Sequence, residues 1–266
     1  MSSFQHRAAL NVLVLDELAV LGVDAFITTR HGGVSAAPYD SLNVGLHVGD
    51  VDDHVIENRQ RVADALSTSL DQMVFADQIH GARIATVSQE EAGRGARFIE
   101  NALSATDGLI TQEAHLPLAL LVADCCPIIL VEPQRHLLAV VHAGWRGTAA
   151  GITRSAVSEI EQLGGSSELI RVVIGPSIDA TRYEVGDEVV AGLTQDLDSS
   201  LIDFVDTSSP RAHVDLALAN RAQLLASGVA DESITLVPHH TDDERFFSDR
   251  TARPCGRFGL FAQFIA

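Results

Sequence analysis

The chain has 266 residues, 46% of them hydrophobic, a composition that buries a core and argues against intrinsic disorder. Asp and Glu number 36 against 18 Lys and Arg, a formal charge of -18, which disfavours nucleic acid and anionic membranes as partners because cations hold those surfaces. A few local arginines can still hold a small anion against that background.

The N-terminal run AALNVLVLDELAVLGVDAF is interrupted by Asp16, Glu17 and Asp24, which spoils both a signal-peptide core and a spanning helix. No other run approaches the roughly 18 to 20 apolar residues of a membrane span. With only Cys125, Cys126 and Cys255 and no export signal, no disulfide framework is expected. The thiols read as reduced, and the protein as soluble and cytoplasmic.

Short β-type runs alternate with amphipathic windows along the chain. AFITT leads into the Gly-rich loop TTRHGGVS, which offers Arg30 and His31, and NVGLHVGD follows with Asn43 and His47. DVDDHVIENRQRVADAL reads as a helix with Val55, Val62 and Leu66 on one face and Asp50 or Asp52 as its cap. DQIHGARIATV places Gln78, His80 and Gly81 just before a strand. Strand-like LPLALLVA, PIILVE and HLLAVVH come next. GTAAGITRSAVSEIEQLGG then puts Ile152, Ala156, Ile160 and Leu163 on one helical stripe, with Gly164 as a stop. IRVVIG, the helical window DLALANRAQLLASG and FGLFAQFI complete the series. Without a repeat, low-complexity tract or linker, residues 1-266 read as a single α/β (α+β) domain with a mixed β-sheet core flanked by helices.

PIILVE and HLLAVVH, joined by PQR, suit a hairpin with Pro133 in its turn. A turn centred on Gln134 pairs His142 with Cys126 and Cys125 with Ala143. Either way both cysteines and His142 meet at the open end of the hairpin, and only one cysteine shares the histidine's face. Two adjacent cysteines between apolar runs are often simple packing residues. Asp124, an acid at the end of a buried strand, needs a partner or water. In HAGWRG, glycines beside His142 let a backbone or ligand come close. A catalytic zinc site takes three protein ligands and keeps one position open. No compact zinc signature is present, so any metal site has to be assembled from distant segments. GWRGT before a helical window offers Arg146 and free backbone N–H groups to an anion.

TTRHGGVS, SLNVGLHVGD, ENRQRV, DQIHG, TDGLIT, ADCCPI, HAGWRGT, YEVGDEV and ERFFSDR occur in an order that resembles the YfiH family. Its members are variously called laccase-domain, multicopper polyphenol oxidase or purine nucleoside phosphorylase proteins. The likeness runs from about residue 25 to the C-terminus. It implies a cytoplasmic α/β enzyme, similar in fold to deamidating toxins, whose zinc is held by His80, Cys125 and His142. The same three residues would be catalytic, with copper as an alternative metal. This choice favours Cys125 over Cys126, which becomes a core residue. The implied activities are phosphorolysis of adenosine, inosine and methylthioadenosine, deamination of adenosine, and a copper-dependent oxidation of phenols. Arg30, Arg59 and Arg146 are the candidate phosphate contacts, and Asn43 and Gln78 the candidate polar substrate contacts. The implied partners are a small purine nucleoside and phosphate, with the chain a monomer or homodimer.

Three alternatives remain at this point: a Cys-His hydrolase acting on an amide such as a peptidoglycan precursor, a copper-dependent phenol oxidase, and a non-catalytic zinc-stabilised binding module. The chain departs from the family pattern at Ser177 and His239, where relatives often carry cysteine. It also departs at Leu260, where an arginine is usual. If that arginine helps to bind phosphate, its loss shifts the expectation towards deamination.

Overall fold

A computed structural model describes residues 2–266. In chain order the strands are β1 (Ser3–Arg7), β2 (Leu10–Val14), β3 (Val23–Thr28), β4 (Val74–Phe75), β5 (Ile84–Thr86), β6 (Gly108–Thr111), β7 (Leu118–Val122) and β8 (Cys126–Glu132). They continue with β9 (Leu137–Ala143), β10 (Arg171–Ile174), β11 (Glu184–Val185), β12 (Val205–Asp206), β13 (Ala212–Val214), β14 (Ile234–Leu236) and β15 (Phe258–Phe264). The α-helices are α1 (Asp52–Ala65), α2 (Trp145–Ala149), α3 (Ile152–Gln162), α4 (Asp187–Thr194) and α5 (Leu216–Ala226).

The expected α/β class with a mixed β core is what the chain builds, and the core comprises two six-stranded sheets. One has the order β1-β2-β3-β15-β7-β4 and the other β14-β10-β8-β9-β6-β5. Both are largely antiparallel, with parallel pairs at β4/β7, β10/β14 and β5/β6. Alternation along the strands explains the layering. Leu13, Ile27, Leu120 and Leu260 of the first sheet pack with Ile129, Val131 and Val140 of the second to form the middle layer. The opposite face of the first sheet, with Val12, Phe26 and Phe261, meets Val62 and Leu66 at α1. The opposite face of the second, with Ile128, Leu130 and Val141, meets Ile152, Ala156 and Ile160 of α3 and Leu216 and Ala219 of α5. The long inner strands β7, β8, β9 and β15 are therefore buried on both faces, which is why their sequences run nearly without polar interruption. Among the described residues, no helix is long and apolar enough to cross a membrane.

The β8/β9 hairpin differs from the sequence-derived register by one residue. Cys126 pairs with Ala143 and Pro127 with His142. The connection is Pro133 to His136, four residues, because His136 adopts φ 55 and Glu132 accepts a hydrogen bond from the Arg135 N–H at 2.6 Å. Extended past the strand, this register sets Cys125 against Gly144. Cys125 therefore shares the face of His142, while Cys126 turns into the layer under α3 and α5.

Two helix expectations are also refined. The N-cap of α1 is Val51 without a side-chain cap bond, and neither Asp50 nor Asp52 serves. The Asp50 carboxylate is occupied by Asn43 Nδ2 at 2.9 Å and the Val51 N–H at 2.8 Å. The window after HAGWRG breaks into α2 and α3 at Gly151, whose φ of 79 no helix interior tolerates. Asp215 caps α5 by accepting the Leu218 N–H at 2.9 Å.

Candidate metal centre

His80, Cys125 and His142 come from three separate segments, yet their ligand atoms lie within 4.8 Å of one another. His142 projects from the end of β9 and Cys125 from the bend that opens β8. His80 sits in the loop after β4 at φ 63, a left-handed backbone that aims its ring back towards the hairpin. Cys125 Sγ is 4.0 Å from His80 Nδ1, and the two imidazole rings are 4.7 Å apart, edge to face.

Asp107, fully buried just before β6, unites two of these segments. Its carboxylate accepts the backbone N–H of His80 at 2.8 Å and of Gly81 at 2.7 Å, which fixes the strained loop. One oxygen also meets His142 Nδ1 at 2.9 Å. That contact fixes the His142 ring with Nδ1–H as donor and leaves Nε2 for a metal, as outer-shell carboxylates do at histidine metal sites. Gln78 fastens the same loop to β7 through paired bonds with Leu121, N–H to Oε1 at 2.8 Å and Nε2 to the carbonyl at 2.7 Å.

Gly144 completes the site by what it lacks. A Cβ there would stand 2.7 Å from both Cys125 Sγ and His80 Nδ1. The donor set, its Asp107 support and the exposed face of His80 fit a three-ligand metal centre with one side open.

The charges agree with that reading. Burial opposes ionisation of Cys125, yet the neighbouring imidazoles His142 and His80 lower its thiol to about 6. Burial likewise opposes the charge on His142, and the Cys125 and Asp107 anions raise it to about 9. Asp107 is held below the usual carboxylate range despite its burial, through His142 and the backbone N–H groups of Gly81 and Ile79. Burial pushes the Cys126 thiol up, so that side chain is a neutral core group.

The cluster forms part of a cavity of about 310 Å³ whose cations are Arg146, Arg250, Arg253 and Arg257. Asp249 pairs with Arg253 and lies 3.6 Å from Arg257, whereas Arg146 pairs with no carboxylate among the described residues and lies over the Trp145 ring at 4.4 Å. Arg250 lies over Tyr183 at 5.3 Å. Asp124, at φ 88, finds its partners in Thr241 Oγ1 and the Arg250 N–H, which ties the C-terminal loop down beside Cys125. A separate surface cleft of about 440 Å³ beside Phe204 and His213 contains no cysteine or arginine.

Of the phosphate candidates, the structure brings only Arg146 to this cavity. Arg30 is engaged by Asp40 at 3.3 Å and lies over Phe247. Arg59 is buried and donates to the carbonyls of Val44, Gly95 and Ala96 at 2.7, 2.6 and 2.9 Å. Asn43 is buried in its own loop, where its Oδ1 accepts the Arg257 N–H at 2.9 Å, so it sets Arg257 rather than facing the cavity. Gln78 lines a smaller adjoining cavity. Sequence reasoning did not select Asp107 or Arg250, although both lie in quoted motifs, TDGLIT and ERFFSDR. Leu260 is buried in the core between the sheets and does not line the arginine cavity.

The comparisons with known proteins agree with this architecture. A family model described as multi-copper polyphenol oxidoreductase laccase matches residues 24–266. The chain is 41% identical over 246 residues to purine nucleoside phosphorylase YlmD of Bacillus subtilis (strain 168), covering 91% of this chain and 88% of that one. It is 36% identical over 236 residues to adenosine deaminase RL5 of an unknown prokaryotic organism, covering 87% and 89%. The crystal structure of YlmD from Geobacillus stearothermophilus superposes with a TM-score of 0.95 at 39% identity over 100% of both chains. With its motifs in order, its layers superposable and its length matched almost throughout, the chain belongs to the multi-copper polyphenol oxidoreductase laccase family, the group that includes the YfiH and YlmD proteins.

Proposed function

We propose that the protein is a zinc-dependent purine nucleoside enzyme, which phosphorolyses adenosine, inosine and methylthioadenosine and deaminates adenosine. The observation that carries this reading is the His80, Cys125 and His142 cluster in the wall of an arginine-lined cavity. Such an arrangement would put metal ligands and cations able to hold an anion within reach of one small ligand. Relatives named purine nucleoside phosphorylase and adenosine deaminase support it.

His80, Cys125 and His142 would hold zinc, and the bound ion supplies Lewis-acid polarisation and lowers the pKa of water. Asp107 holds His142 in the tautomer that presents Nε2. In phosphorolysis an oxygen of hydrogen phosphate bonds to ribose C1′, the C1′–N9 bond breaks, and the purine leaves with the electron pair and takes up the proton that the phosphate gives up. Arg146 and Arg250 offer planar, permanently charged donors that balance the phosphate. In deamination water oxygen bonds to C6 and the exocyclic nitrogen leaves as ammonia. Zinc suits this donor set, since two histidines and a cysteine with one open side match a catalytic zinc site. Linked multi-histidine copper clusters have no counterpart among the described residues, where one three-ligand group is found.

A second reading draws on the lowered Cys125 thiol beside the raised His142 and its Asp107 partner, the arrangement of a cysteine hydrolase nucleophile. Zinc retained stoichiometrically and lost in Cys125→Ala separates the two readings.

The deciding assay supplies metal-analysed protein with adenosine, with and without phosphate. Inosine, adenine and ribose 1-phosphate are then followed by chromatography. Phosphate-dependent adenine and ribose 1-phosphate, together with inosine, are expected. No product from the wild type, or undiminished product from His80→Ala, overturns the reading. Zinc-dependent melting without turnover would instead mark a binding module.

A further inference from the structure

A second, more enclosed cavity of about 170 Å³ adjoins the first, and His80 and His142 line both. Its character is different. No arginine or lysine lines it, and its walls include Ala76, Ile99 and Leu121. Its polar groups are Asp77, Gln78 and His47. Gln78 is consumed by its two bonds to Leu121. The backbone of Asp77 is likewise committed, its N–H to the Leu103 carbonyl at 2.9 Å and its carbonyl to the Thr106 N–H at 3.0 Å. Among the described residues no hydrogen bond or ion pair engages its carboxylate, which acts on His47 only through its charge, although the chain at this point is pinned on both sides.

A small slot with apolar walls, a carboxylate without a hydrogen-bond partner among the described residues and the neutral imidazole of His47 suits a flat heterocycle that presents N–H donors on one edge. The arginine-lined cavity suits an anion. We infer that the two cavities divide one substrate pair between them, with the purine base in the slot, its N–H edge on the Asp77 carboxylate, and phosphate among Arg146 and Arg250. The assignment rests on the nucleoside reading above and deepens it. The 6-amino group of adenosine and the N1–H of inosine lie on the same edge of the ring. One carboxylate can therefore accept from either, and a base lacking such a donor leaves that acceptor unpaired. Asp77 is thereby the specificity-determining residue, and the metal ligands stand at the junction of base and anion.

The test is binding rather than turnover, measured by calorimetry on the zinc-loaded protein. Inosine is titrated without phosphate, and phosphate is titrated without nucleoside. Asp77→Asn keeps the size of the side chain and removes its charge. It should weaken inosine at least tenfold while leaving phosphate within about twofold. Arg250→Gln should do the reverse, and both variants should melt within a few degrees of the wild type. As a donor-deleted probe, 1-methylinosine should bind the wild type at least tenfold more weakly than inosine. Inosine affinity unchanged in Asp77→Asn, equal losses for both ligands, or no inosine binding by the wild type overturns the assignment. Turnover of adenosine with inosine affinity indifferent to Asp77 would sink the assignment alone. Asp77-dependent inosine binding without turnover would sink the activity and support the slot.

Discussion

Asp107 and His142 meet at 2.9 Å inside the molecule, and the same carboxylate holds the backbone of the His80 loop. One buried acid thus controls two of the three candidate ligands, the orientation of one ring and the path of the chain that bears the other. Asp107→Asn keeps the shape but removes the acceptor strength. It should lower zinc affinity by about 10- to 100-fold, the usual effect of losing such a partner. Competition with a chromophoric chelator measures this, and affinity equal to wild type would remove Asp107 from the site.

Gly144 has an extended backbone, φ -79 and ψ 167, that alanine adopts without strain. Only the added methyl matters, since it would press on Cys125 Sγ and His80 Nδ1. Gly144→Ala should therefore abolish stoichiometric zinc and nucleoside turnover while the metal-free protein unfolds within about 1 kcal/mol of wild type. Metal analysis and denaturant unfolding of the apoprotein check the two halves of this statement.

The Cys125 thiol, lowered to about 6 by the histidines that outweigh its burial, gives a direct pH signature in the metal-free protein. The thiolate is the nucleophile, so iodoacetamide labelling should be near its plateau at pH 7. Below pH 6 it should fall about tenfold per unit. Cys126, whose thiol is buried and pushed up, should remain unlabelled in the native state. A profile with its midpoint near 8.5 would show that the imidazoles do not act on Cys125.

Arg59 and Arg146 should separate cleanly when replaced. Arg59→Met strands three buried carbonyls, which costs about 3 kcal/mol or more at roughly 1 to 3 kcal/mol per unpaired group. Arg146 carries no comparable load, and Arg146→Gln should raise the KM for phosphate about tenfold with little change in melting temperature. The reverse pattern would return Arg59 to the substrate site.

Much of this was legible in the residues, and the gaps have physical causes. Near-continuous apolar runs marked the long strands because each is buried on both faces. The β1/β2 hairpin was missed because Ser3–Arg7 mixes polar and apolar residues on an exposed edge. The meeting of Cys125, Cys126 and His142 followed from hairpin logic, whereas His80 joins them from 45 residues away through a loop that no local pattern marks. Arg59 looks like a free cation on a helix, since the carbonyls that engage it lie 15 to 37 residues distant in sequence. Asp107 is a single acid before a strand, and its role appears only once β9 is laid beside β6. Arg250 reaches the cavity through its bond to Asp124, 126 positions earlier.

The four-residue turn at Pro133–His136 acts at a distance. It lies at the far end of two seven-residue strands, roughly 20 Å from the metal ligands at about 3.3 Å per residue. With one residue fewer, the sliding strand would exchange the fates of two neighbouring thiols, sending the reactive one into the hydrocarbon interior and bringing the inert one to the histidines. The hairpin loop thus works as a ruler, and its length is the dimension by which the protein tells two chemically identical side chains apart.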